Sequence, residues 1–144
     1  TTASTSAQTT TGTFGANDKR IAVDNPGGAN NGWTLTLNAT TPGTGKWTDG
    51  GKNYKYNGTA ADGRLTVDPS TGTVTPVIGT ATGVTKGSSM AFSGTNPVTL
   101  MSASASADAI WNGYITGVNL TQDIPAGQQV GTYTLPMTQT VAAI

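Results

Sequence analysis

Seven aspartates are the only acids in the 144 residues: Asp18, Asp24, Asp49, Asp62, Asp68, Asp108 and Asp123. A pair of carboxylates could serve as the acid and base of a glycosidase. Asp24, Asp49, Asp62 and Asp68, however, each stand beside Gly, Asn or Pro, the company that Asp keeps in turns. The chain has no His, Cys or Glu. The usual zinc, copper, haem and iron–sulfur sites therefore lack their ligands, and neither thiol catalysis nor a serine–histidine triad can be built. No Gly-x-Ser-x-Gly elbow and no Ser-x-x-Lys pair occurs. The expectation is a protein that is not an enzyme and carries no cofactor.

Oxygen ligands for calcium are present. Asp62-Gly63-Arg64-Leu65 resembles the centre of a calcium loop, but Gly58 and Ala60 stand where the loop needs acids. Only a looser set of Asn57, Asp62 and Asp68 is left. Trp47, Tyr54 and Tyr56 could form a platform for a sugar face. The competing reading is that Trp47 and Tyr54 are cross-strand partners covering a thin core, and a chain this poor in aliphatic residues favours it. Lys19, Lys46 or Lys55 could enter an isopeptide bond, although solvated lysine is the simpler reading.

Composition sets the frame that must hold these residues. Thr contributes 29 residues, Gly 20, Asn 10 and Ser 9, whereas Leu, Ile, Val and Phe together number 23. Such a low apolar fraction would suit a disordered chain if the net charge were large, but seven Lys/Arg balance the seven Asp. Thr and Val favour half-buried strands, so a thin all-β core is expected. Zero net charge excludes nucleic-acid binding by bulk electrostatics. No apolar run reaches the roughly 18 residues of a membrane span.

The pattern has period two almost throughout. Trp33, Leu35, Leu37 and Ala39 alternate with Thr34, Thr36, Asn38 and Thr40, and Ile21 and Val23 share the face of an earlier strand. Asn25-Pro26-Gly27-Gly28 reads as a turn, and Asp49-Gly50-Gly51 as a hairpin between Trp47 and Tyr54. Leu65 and Val67 form a strand ended by Asp68-Pro69-Ser70. Pro76, inside the strand of Val74 and Ile78, predicts an edge or a bulge. Phe92, then Val98 and Leu100, mark two more strands, and the Gly- and Pro-free residues 98 to 112 leave room for a helical turn. Tyr114, Thr116, Val118, Leu120 and Ile124 share one parity and predict one long strand. Tyr133, Leu135, Met137 and Val141 predict the last. About ten short strands at this spacing indicate a single β-sandwich of Ig-like or jelly-roll type over residues 15–144.

Residues 1–14 stand apart as an extended N-terminal arm. Their Thr/Ser/Ala composition is that of a disordered tail unless the backbone finds a strand to pair with. Ala3, Thr5, Ala7, Thr9, Thr11 and Thr13 share a parity and are small enough for a shallow groove. The opening residues have no basic or apolar region, so a mature end left by signal removal is expected, and with it an extracellular, cell-surface location.

Two stretches carry family resemblances. Ala22-Val23-Asp24-Asn25 followed by Gly32-Trp33-Thr34-Leu35-Thr36-Leu37 resembles the first signature of the WxL surface domains, secreted β-rich modules that bind peptidoglycan non-covalently. Tyr133-Thr134-Leu135 stands at their second Trp-x-Leu, with Tyr for Trp. Ile124-Pro125-Ala126-Gly127 and Gly131-Thr132-Tyr133-Thr134-Leu135 are similar to the final strand of secreted fimbrial and spore-coat-U-type subunits. In those fimbriae an N-terminal extension completes a neighbour's sheet. The resemblance implies a pilus-like filament of identical subunits joined by strand exchange; the WxL likeness implies a non-catalytic module for cell wall or surface carbohydrate.

Overall fold

The computed structural model describes residues 3–27 and 31–144. Thr1 and Thr2 of the arm and Gly28 of the expected turn lie outside them. The chain is all-β. In chain order its strands are β1 (Gln8–Phe14), β2 (Ile21–Pro26), β3 (Trp33–Ala39), β4 (Trp47–Asp49), β5 (Lys52–Tyr54), β6 (Arg64–Asp68), β7 (Thr73–Ile78), β8 (Val84–Lys86), β9 (Met90–Ala91), β10 (Val98–Ala103), β11 (Ile110–Thr116), β12 (Val118–Ile124) and β13 (Met137–Ala143). Among the described residues the one helical piece is a 3-10 turn at Pro69–Thr71, capped by the Asp68 side chain on the Ser70 N–H. Residues 98–112, which left room for a helical turn, form none: β10 takes up the first six of them.

All pairings are antiparallel. One sheet has the order β13-β3-β10-β8, a second β1-β12-β6-β9, and a third β2-β11-β7. The second and third are three chain columns bent at one line, because β1 leads into β2, β11 into β12 and β6 into β7. The bend is stitched across the columns. Gly117, at φ +73°, donates its N–H to the Gly15 carbonyl at 2.9 Å, and the Thr71 hydroxyl donates to the Gly117 carbonyl at 3.2 Å. The left-handed conformation of Gly117 is open to glycine and strained for other residues.

That bend corrects the expected long strand. Trp111 and Ile115 point into the core before it and Val118 after it, so the inward parity changes from odd to even at Gly117. Tyr114 therefore faces outward, with the Arg20 guanidinium 4.3 Å from its ring centre.

The core forms where the bent sheet meets the β13-β3-β10-β8 sheet. Trp33, Leu35, Leu37 and Ala39 are buried on β3, as their alternation predicts, and Trp33 lies 5.2 Å from Trp111 across the sandwich. A bulge on β10 opposite Leu35 lets the consecutive Leu100 and Met101 both enter the core. Pro76 sits on the edge strand β7 beside a second bulge, as its ring requires. The last strand is shorter than its alternation suggests. It starts at Met137; Tyr133 and Leu135 precede it half-buried, and Val141 is exposed.

The arm pairs within its own chain. β1 lies antiparallel on β12, from Gln8 opposite Ile124 to Phe14 opposite Val118. Register puts Gln8, Thr10, Gly12 and Phe14 on the inward face, because residues directly opposite share a face and Val118 and Gln122 are buried. Thr9, Thr11 and Thr13, expected to seat in a groove, point outward instead, and the Thr9 hydroxyl donates to Asp123 at 3.2 Å. Ala3, Thr5 and Ala7 precede the strand, where the Ser4 carbonyl accepts from the Gly127 N–H at 2.8 Å. Among the described residues no helix is long and apolar enough to cross a membrane.

Candidate functional site

The β4–β5 hairpin closes through the two-residue turn Gly50-Gly51, with Gly50 at φ +58° and a 3.3 Å contact between Lys52 Nζ and Asp49. This pairs Trp47 directly with Tyr54. Their rings lie within 22° of parallel with centres 6.3 Å apart. That separation exceeds a face-to-face contact, and both residues are half-buried, so ring surface stays uncovered.

The segment before β13 is fixed to this hairpin. Thr48 and Thr134 exchange both backbone hydrogen bonds at 2.9 Å, and Lys52 Nζ donates to the Val130 carbonyl at 2.9 Å. Tyr133 is thereby brought edge-on to Tyr54, at 5.1 Å and 62°. Its hydroxyl donates to the Gln129 carbonyl at 2.7 Å and accepts from the Gln128 amide at 2.6 Å. The Trp47 indole N–H donates at 2.7 Å to Oε1 of Gln122, a buried residue. The Gln122 amide nitrogen in turn donates to the Asp123 carbonyl at 2.7 Å. Gln122 is thus satisfied at both ends and fixes the plane of the indole.

Trp47, Tyr54 and Tyr133 floor a cleft of about 360 Å³ whose far wall is the arm, at Thr10 and Gly12. An adjoining space of about 320 Å³ continues it past Ile124 to Ser4, Gln8, Gln128 and Gln129. No Asp, Lys or Arg lines either part. A Cβ placed on Gly12 would meet nothing within 4 Å, so the inward glycine of the arm leaves the cleft open. Burial raises the Tyr54 phenol above its ordinary value of 10.0, and the charge Tyr133 gains on ionising raises it further.

The sequence candidates distribute as follows. Trp47 and Tyr54 are the cross-strand pair expected of them, yet they also border the cleft. Tyr56 is no part of a platform: it is fully buried, edge-on to Phe92 at 5.3 Å. Trp33, Leu35 and Leu37 of the WxL-like stretch are core, with no face free for a ligand, whereas Tyr133 lines the cleft and Leu135 packs on the core. The calcium set is scattered. Asn57 donates to the Gly94 carbonyl, Asp62 meets Thr59 and Lys55, and Asp68 caps the 3-10 turn. Among the described residues no three acids gather for a metal. Asp24, expected in a turn, lies within β2 opposite Asn112. Lys19 and Lys46 are exposed, and Lys55 reaches Asp62 only at 4.0 Å in an open position.

Gln122, Gly12 and Gln128 carried no sequence signal strong enough to place them together, although a lone glycine in a threonine strand marks a close approach or an opening. The chain matches no known protein family, no curated protein and no solved structure.

Proposed function

We propose that the protein is a non-catalytic structural subunit of an extracellular surface filament, joined to identical neighbours by exchange of the β1 arm. The observation that supports this most is how β1 is held. From Gln8 to Thr13 every residue is exposed, and only Phe14 reaches the core. The strand is therefore attached by its backbone ladder, which any second copy of β12 can supply equally well. Its connection to β2 is a tight turn, with the Lys19 N–H on the Ala16 carbonyl at 3.0 Å. Straightening that turn sends the arm away from its own body. In the single chain β1 closes its own sheet; in the filament each arm closes the next one, and the head-to-tail sense of that contact does not close on itself.

Light scattering and electron microscopy of the full chain over a rising concentration series test the reading. Oligomers that grow into filaments are expected, and a chain lacking residues 1–14, which can accept an arm but not donate one, should cap them when added. A full chain that stays monomeric throughout would overturn it.

A further inference from the structure

We propose that the cleft between the arm and the β4–β5 hairpin binds a neutral saccharide. The inference does not rest on strand exchange, since the same wall stands whether the arm belongs to this chain or to a neighbour.

Four observations converge on that ligand class. The floor is aromatic, with Trp47, Tyr54 and Tyr133 offering near-parallel and edge-on rings whose uncovered surface suits the C–H face of a pyranose. The rim is amide and hydroxyl, from Gln8, Gln128, Gln129 and Ser4: the Gln8 amide nitrogen donates to Ser4 Oγ at 3.1 Å and that of Gln128 to Tyr133, so both turn to a ligand's hydroxyls chiefly as acceptors, while Gln129 offers a whole amide. The lining holds no charged side chain, and the Lys52–Asp49 pair behind Val130 and Gly131 is matched within itself, which disfavours phosphates, carboxylates and ammonium groups. The geometry is set in advance: Gln122 fixes the Trp47 ring and Gln128 and Gln129 fix Tyr133, so little ordering remains on binding. The combined space falls in the range of roughly 300–1,000 Å³ typical of small-ligand sites. Gly12 is the gate residue, as the one inward position of the arm with no side chain above this floor.

The tryptophans give a selective reporter. Trp33 and Trp111 are 2% and 0% exposed, so a ligand in the cleft perturbs the half-buried Trp47 alone. The monomeric full chain is titrated with cellotetraose, chitotetraose and mannotetraose, followed by tryptophan fluorescence and by calorimetry. Saturable binding of at least one is expected, weakened about tenfold or more in Gly12→Val, which fills the cleft, and in Tyr133→Ala. Gly12→Val should keep or raise the melting temperature, separating loss of the site from loss of the fold. The proposal is overturned if calorimetry finds no binding of any of the three. It is equally overturned if both variants bind like the native chain, or if a sulfated heparin tetrasaccharide binds and the neutral ones do not.

Discussion

Tyr54 shows how one side chain can serve the fold and the site at once. Its ring pairs with Trp47 across the hairpin, and its phenol is held protonated by burial and then by the neighbouring Tyr133. A group whose pKa is higher in the folded chain than in the unfolded one binds more protons when folded. Its contribution is thus complete below about pH 10 and is lost as pH rises through the folded value. Stability of the native chain should fall above that point, and Tyr54→Phe should fall less steeply, as chemical denaturation at successive pH values would record. The buried residues behave more simply. Leu35→Ala, deep in β3, should cost about 2–5 kcal/mol by the same measurement. Trp33 follows the same logic, which is why a lost function in a Trp33 variant would report on folding before it reported on any ligand.

At the scale of elements the sandwich manages its edges unequally. β7 presents Val77 and Ile78 at 62% and 53% exposure, beside Ile110 at 58%, an apolar margin that invites pairing with another chain. Pro76 and the adjacent bulge blunt that margin by removing a donor and breaking the ladder. Pro76→Thr should restore a continuous edge, and turbidity at raised concentration should develop severalfold faster than in the native chain. β1 and β13 are open in the other sense: both are seven-residue, threonine-containing edges with exposed faces. Phe14 and Met137 at their inner ends line one apolar pocket of about 100 Å³, so the two sheets end on the same side of the sandwich.

For the whole molecule, charge is the notable quantity because it cancels. With a formal net charge of zero, two copies of the chain would neither repel nor steer one another over distance. Among the described residues the ion pairs are local, as between Arg64 and Asp123 at 3.0 Å. Association through a backbone ladder should then be nearly indifferent to salt. The concentration at which oligomers form should move less than about threefold between about 50 and 500 mM NaCl, as light scattering would show.

Local pattern alone was enough for the strands whose two faces differ in kind. The Trp33–Ala39 alternation, the Gly50-Gly51 hairpin, the Asp68-Pro69 stop and the edge position of Pro76 each follow from side-chain period or backbone restriction within a few residues. Absence of His, Cys and Glu likewise limited the chemistry before any fold was known. Tertiary structure decided what depends on distant partners. Parity reverses at Gly117 because that glycine is bound to Gly15 and Thr71, residues far from it in sequence. The arm's inward face is set by β12, which turns Gly12 toward the cleft between Thr10 and Phe14. Tyr133 meets Tyr54 because Thr48 and Thr134 pair across 86 positions, Gln122 reaches Trp47 across 75, and periodicity carries no information about contacts at that range.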